Sequence, residues 1–273
     1  MQNYWNRRFA TYGHTNLRIS ALLAYDQKIR FKALKKLLLR NKVLMADRPI
    51  ILDIGCGTGN LVAELTQYKP RIVGFDLSNY LLKKTKQRFE IAQNVQLFCG
   101  DVKAISLLKN SFDLVTSMMV LQHITPDKQL STAMQNLFDV LKPEGYALLF
   151  ESVFSDKDKS DQDQNFYLNK KTSAEWRALI RETGFILVAE ESYPQFAFTF
   201  FRIFKQLFAS IRSKSTASQF VAENLQDSTS IYANIIKIIL ILFTPIDFWL
   251  FTPFPKKYSR RRFFLLQKKK ICP

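Results

Sequence analysis

The stretch Asp53-Ile54-Gly55-Cys56-Gly57-Thr58-Gly59, directly behind the apolar run Ile50-Ile51-Leu52, sets three glycines at alternate positions after a strand-like segment. Residues 50–54 are apolar and rich in β-branched side chains with one acid, as a buried parallel strand requires. Residues 60–67 then read as a helix with Leu61, Val62 and Leu65 facing inward. Glycines at a strand-to-helix corner reach positive φ and let the backbone approach a ligand, beside helix N–H groups that bind its polar end. The chain is thus expected to carry a nucleotide-cradling turn.

Two details separate this turn from its relatives. A dinucleotide fingerprint needs glycine at a sixth position, here Asn60, and a phosphate-binding P-loop needs a Gly-Lys-Ser/Thr triplet that does not follow. The turn also opens with Asp53, and an acid suits a cationic group better than a pyrophosphate. The acid-x-Gly-x-Gly-x-Gly pattern resembles the first motif of the class I S-adenosylmethionine-dependent methyltransferases.

Later segments carry the same resemblance. Arg71-Ile72-Val73-Gly74-Phe75-Asp76 is a short strand ending in an acid 17 residues past Gly59, where a carboxylate can accept both ribose hydroxyls. Val95 to Asp101 is a third strand ending in Gly-Asp, which in the family places the acid by the adenine amino group. Ser111-Phe112-Asp113-Leu114-Val115-Thr116-Ser117-Met118-Met119 resembles the fourth strand, followed by Val120-Leu121-Gln122-His123-Ile124 as the active-site loop. Leu141-Lys142-Pro143-Glu144-Gly145 and the strand after it resemble the family's Leu-Lys-Pro-Gly-Gly turn and fifth strand, with Glu for the first Gly.

The resemblance implies an α/β fold: a doubly wound, seven-stranded, mostly parallel Rossmann-like sheet with an antiparallel last strand. S-adenosyl-L-methionine is the implied cofactor, lined by Asp53, Gly55, Cys56, Gly57, Gly59, Asp76, Leu77, Asp101, Val102 and Met118. Each position also has a plainer reading. Asp76 and Asp101 can cap helices, Cys56 and Cys99 suit small buried fillers, and Met118 and Met119 are core-like.

At 273 residues and 47% hydrophobic, the chain can bury a large core. Three cysteines without paired spacing (Cys56, Cys99, Cys272) point away from a disulfide framework or a zinc site, and no metal is expected. Residues 1–8 are aromatic and basic without an apolar core, unlike a secretory signal, and a cytoplasmic location is expected. Charge is divided unevenly. Residues 1–48 hold 11 Lys and Arg against 2 acids, residues 49–199 hold 16 against 18, and residues 200–273 hold 13 against 3. The net +17 therefore lies in the flanks, where an anionic substrate or surface would meet it.

Four parts are expected: an N-terminal helical cap (1–48), the cofactor-binding core (49–193), a basic aromatic helical insert (194–259), and the last core strand with its tail (260–273). In the cap, Leu22, Ala24, Ile29, Phe31, Leu34, Leu37 and Leu38 give an apolar helical face, and the aromatic-basic opening either packs on helices or closes over the cofactor. Residues 155–164 read as a solvated loop, Thr172-Ser173-Ala174-Glu175 as a capping box, 185–188 as the start of the sixth strand and 262–267 as the last. The insert interleaves Phe196, Phe198, Phe200, Phe201, Phe204 and Phe208 with Arg202, Lys205, Arg212 and Lys214. Its apolar run 235–251, interrupted by Lys237, Pro245 and Asp247, is short for a span. The insert reads either as a helical cap packed on the domain or as a lid that covers a hydrophobic acceptor or rests on an anionic bilayer.

Methyl transfer to a hydroxyl is helped by a general base, and His123 is the candidate, with Glu151 and His14 behind it. The expected activity is transfer to a small-molecule or lipid-linked acceptor at oxygen, in a glycan, quinone or lipid pathway. The alternative is an RNA-directed enzyme with basic flanks on the strand. Against base methylation stands the absence of an Asn/Asp-Pro-Pro-Tyr/Phe motif and of a Pro-Cys nucleophile.

Overall fold

The computed structural model describes residues 2–12, 20–43, 47–105, 107–156, 168–192 and 260–269. The insert 194–259, the loop 157–164, His14 and Cys272 lie outside them. The chain divides into two compact units, one of Met1–Thr15, Lys35–Ser192 and Arg260–Pro273, the other of Asn16–Leu34 and Tyr193–Ser259.

In the first unit, helix α1 (Gln2–Tyr12) and the end of α2 (Ser20–Arg40) precede an alternation of strands and helices. These are β1 (Ile50–Ile54), α3 (Asn60–Leu65), β2 (Arg71–Asp76), α4 (Asn79–Arg88), β3 (Val95–Cys99), β4 (Phe112–Met118), α5 (Asp127–Val140), β5 (Leu141–Ser152), α6 (Ser173–Glu182), β6 (Phe185–Ser192) and β7 (Arg261–Lys268). One seven-stranded sheet runs β3-β2-β1-β4-β5-β7-β6, its first five strands parallel and β7 antiparallel to both neighbours. The expected architecture is present. Because β1 pairs with β2 on one side and β4 on the other, the strand order reverses at its carboxyl end. That is where open α/β sheets bind ligands.

Local chemistry accounts for the elements. All but the first residue of β1 are buried, whereas the edge strand β3 leaves Gln96, Phe98 and Cys99 exposed. Helix α5 buries Leu130, Ala133, Met134, Leu137 and Val140, spaced at three and four. The expected capping box opens α6: Thr172 Oγ1 accepts the Glu175 N–H at 3.3 Å, and Glu175 Oε2 accepts the Thr172 N–H at 2.7 Å. The helix then buries Trp176, whose Nε1 donates to Ser152 O at 3.1 Å. Strand β7 buries Phe263, Phe264, Leu265 and Leu266 between β5 and β6, and Lys268 Nζ at its end donates to the carbonyls of Phe138 (2.8 Å) and Leu141 (2.7 Å). In the second unit the described residues belong to α2. From Tyr25 its buried positions run in pairs four apart, and the Asp26–Arg30 ion pair at 3.1 Å lies on that stripe. Ala24, expected on the apolar face, is exposed, because the buried pairs begin one residue later.

Some element bounds differ from the sequence reading. Helix α3 tightens into a 3₁₀ turn at Thr66–Tyr68, and β3 stops before Gly100. The Leu-Lys-Pro-Glu-Gly turn lies within β5, where the pairing slips between Phe112–Leu141 and Leu114–Tyr146. Among the described residues no helix is long and apolar enough to cross a membrane.

Glu144, standing where the resembled turn has glycine, sits at φ 63°. A side chain in that left-handed region costs on the order of 1 kcal/mol. Glu144→Gly is therefore expected to raise the unfolding free energy by about 0.5–1 kcal/mol, measured by urea denaturation.

Candidate functional site

The glycine turn is bent by three left-handed residues, Gly55 (φ 68°), Gly57 (φ 54°) and Gly59 (φ 73°). The Gly55 and Cys56 N–H groups both donate to Phe75 O, at 2.7 and 3.2 Å, which ties the turn to the end of β2. A Cβ on Gly55 would run into Val120, and one on Gly59 would stand 2.6 Å from Phe89 and 2.7 Å from Thr85. Among the described residues a Cβ on Gly57 would meet only Gly55 O, at 3.8 Å, an ordinary contact, so this part of the turn is the least crowded of the three. Thr85 on α4 buttresses it from behind by donating to Gly57 O at 2.6 Å.

Asp76, at the end of β2, accepts the Gly57 N–H through Oδ2 and the Ser78 N–H through Oδ1, both at 2.8 Å. Each oxygen keeps a second lone-pair direction. Asp53, at the fourth position of β1, is buried and accepts the Thr116 hydroxyl of β4 at 2.7 Å. Burial pushes its carboxyl up to about 7; the Thr116 bond opposes the rise and the Asp76 charge adds to it. Burial also raises Asp76, against the two N–H bonds it accepts. Two acids held close together under poor solvation form a site that a cation with adjacent hydroxyls would satisfy. The residues present fit the implied cofactor.

The other residues expected to line the cofactor have differing settings. Cys56 is buried, its Sγ beside Gly74, and burial pushes its thiol up, so its side chain is a filler. Leu77 is half-buried just past Asp76, Val102 is buried in the core cluster, and Met118 is half-buried at the end of β4. Asp101 caps the 3₁₀ turn Val102–Ala104, accepting the Lys103 N–H at 3.0 Å and pairing with Lys103 Nζ at 3.3 Å. The capping alternative is thus realised at Asp101, and Ser78 rather than Asp76 caps α4.

His123 ends the 3₁₀ turn Leu121–His123 beyond β4. Its Nε2 lies 3.2 Å from Gln122 Nε2, and its ring meets the edge of Trp5 with centroids 5.0 Å apart. Helix α1 reaches the cofactor end too, where Ser78 Oγ donates to Asn6 Oδ1 at 2.6 Å and Phe9 meets Tyr80. Neither contact was legible beforehand, since nothing in the α1 sequence names its partner. Glu151 is fully buried and its carboxylate accepts three backbone N–H groups, those of Val120 (3.2 Å), Leu121 (3.1 Å) and Gln122 (3.2 Å). Burial pushes its carboxyl up to about 8 despite those bonds. Among the described residues no cluster of three or more His, Cys, Asp or Glu could hold a metal.

Residues 51–145 match the methyltransferase domain family. A curated relative, the ubiquinone biosynthesis O-methyltransferase of Coxiella burnetii, is 32% identical over 38% of this chain and 43% of its own length. The chain spans 41% to 66% of the length of the curated relatives it matches first. Among solved structures, a proposed sarcosine dimethylglycine methyltransferase from Galdieria sulphuraria superposes with a TM-score of 0.62 at 21% identity, covering 89% of this chain and 85% of its own. The Haemonchus contortus phosphoethanolamine N-methyltransferase 2, crystallised with S-adenosyl-L-methionine, reaches 0.51 at 22% identity, covering 81% and 49%. The sheet is a Rossmann-like methyltransferase fold.

The glycines separate two effects that substitution can read. Gly55→Ala meets both the φ penalty and Val120, with an expected cost of about 2–4 kcal/mol. Gly57→Ala meets only the φ penalty, about 1–2 kcal/mol. Denaturation of both variants checks the order, and a larger loss at Gly57 would contradict the packing described.

Proposed function

We propose that the chain is an S-adenosylmethionine-dependent methyltransferase acting on a small-molecule or lipid-linked acceptor at oxygen, in a glycan, quinone or lipid pathway. The observation that carries this reading is the pairing of a buried acid, Asp53 near the end of β1, with the half-buried Asp76 at the end of β2, which accepts the Gly57 N–H of the glycine turn and whose charge acts on Asp53. The family match over 51–145 and the O-methyltransferase relative support it.

When bound, S-adenosylmethionine supplies an electrophilic methyl on a cationic sulfur. In this reading Asp76 holds the ribose hydroxyls with its remaining lone pairs, and Asp53 offers negative charge to the cationic end. Gly55, Cys56, Gly57 and Gly59 shape the backbone against the cofactor; Leu77, Asp101, Val102 and Met118 border the nucleoside. Trp5 covers His123 and helps exclude water. His123 takes the acceptor hydroxyl proton at a ring nitrogen as general base. At Nε2 the acceptor hydroxyl must displace Gln122, whose amide donates to that nitrogen in the neutral ring. The expected four-part division (1–48, 49–193, 194–259, 260–273) belongs to this reading. The enzyme works in the cytoplasm, with the basic insert 194–259 covering the acceptor or resting on an anionic bilayer. The RNA-directed alternative rests on charge alone.

Calorimetric titration with S-adenosylmethionine and with NAD tests the core of the proposal. Micromolar binding of the methyl donor alone is expected, weakened at least about tenfold in Asp76→Ala, which removes charge-assisted hydrogen bonds. No binding of the donor to the unaltered chain overturns the reading.

The raised Asp53 carboxyl makes binding pH-dependent. A cation favours the carboxylate, so binding lowers that group's pKa and releases a proton. Affinity is then expected to rise with pH through about 7, where Asp53 ionises without ligand. Titrations in buffers of different ionisation enthalpy count the released proton. An unchanged pH slope in Asp53→Asn would assign the linkage to another group.

A further inference from the structure

We propose that Glu151 is a positioning residue of the active-site loop, holding the backbone of Val120-Leu121-Gln122 and through it the placement of Val120 and His123. The inference deepens the proposed methyltransferase reading and replaces the expectation of Glu151 as an alternative base.

The carboxylate is aimed at the main chain. Oε1 accepts the N–H groups of Val120 and Leu121 and Oε2 that of Gln122, so three consecutive amides converge on one side chain. Consecutive amides form a concave anion-binding surface of the kind that usually receives a ligand. Here a side chain from the end of β5 fills it. Glu151 itself is 0% exposed, which leaves an acceptor no approach to its oxygens. Burial favours the neutral form of this carboxyl, and the three converging donors oppose that while satisfying its oxygens.

The neighbouring contacts extend the grip to both sides of the loop. Gln122 Oε1 accepts the Ser152 N–H at 3.0 Å, and Met119 N donates to Phe150 O at 2.7 Å, so the loop is stitched to β5 above and below Glu151. Asn169 N donates to Gln122 O at 2.6 Å, and its Nδ2 donates to Ile124 O at 3.1 Å. What the grip places is functional under the proposed reading. Val120 closes on Gly55, at the bend of the cofactor turn, and His123 stands against Trp5. One carboxylate thus ties the cofactor side of the site to its acceptor side.

Glu151→Gln keeps the shape but sets an amide N–H₂ against at least one backbone N–H, whichever way the amide faces. The test compares it with Glu151→Asp and with Leu137→Ala, a core truncation far along α5, chosen for a similar loss of melting temperature. Because the chain has only His14 and His123, a spectrum of histidine-ring-labelled protein holds two ring signals, and His123→Asn assigns them. Measured above about pH 8, where the Glu151 carboxyl is ionised, Glu151→Gln is expected to shift the His123 signal and to weaken S-adenosylmethionine binding about five- to tenfold, the scale of one charge-assisted hydrogen bond partly coupled to the ligand. Glu151→Asp restores part of both, and Leu137→Ala moves neither. An unmoved His123 signal in Glu151→Gln, or equal changes in Leu137→Ala, overturns the inference. If the unaltered chain binds no donor, the methyltransferase reading fails, and the ring signal still decides the placement of His123.

Discussion

The bond from the Gly57 N–H to Asp76 Oδ2, 2.8 Å long, joins the two sequence signals on which the site depends. It spans two parallel strands, so it requires the β1–β2 register in which Ile54 stands opposite Phe75. A slip of one residue would carry Asp76 to the other face of the sheet and leave the Gly57 amide without its partner. It would also break the donations of Gly55 and Cys56 to Phe75 O, which hold the turn at the strand end. The glycine turn is therefore a consequence of sheet register as much as of its own backbone freedom.

That geometry puts two carboxylates where water is scarce, and both are pushed toward the neutral form. A packed core could avoid the cost with apolar residues at both positions, since removing both partners of a buried polar contact is often neutral. Retaining acids at both ends of an open turn makes sense when a ligand brings the compensating charge and donors. Thr116 and the amides of Gly57 and Ser78 satisfy part of the demand, and in the proposed reading the ligand meets the rest.

The fold was legible because its determinants are local. The apolar run of β1, the acid ending β2, the capping box at Thr172 and the apolar stretch of β7 each declare themselves within a few residues, and the strands pair as expected. What sequence reading missed depends on pairs far apart in the chain. Trp5 and His123, Asn6 and Ser78, and Glu151 with Val120 meet only through the tertiary structure. Glu151 was read as a spare base because an acid just past a strand end usually faces solvent or ligand; three amides turn it inward instead. A hint was available in its setting, Leu-Leu-Phe-Glu-Ser, where an acid follows an apolar run without a neighbouring cation to pair with.

The same distinction explains why the cofactor side of the site reads more easily than the acceptor side. Binding a nucleoside needs backbone shape and two carboxylates, which a short motif can encode. In the proposed reading the acceptor side is assembled from a loop after β4, a helix from the N-terminus and the segment at Asn169, none of which has a fixed spacing to the others. Such an assembly stays in place only if something rigid anchors it, because a short 3₁₀ turn has few hydrogen bonds of its own. Strand β5 is the rigid element within reach, paired on one side to β4 and on the other to β7. Fixing the loop to that strand lets the surrounding segments change with the acceptor while the geometry facing the cofactor is kept.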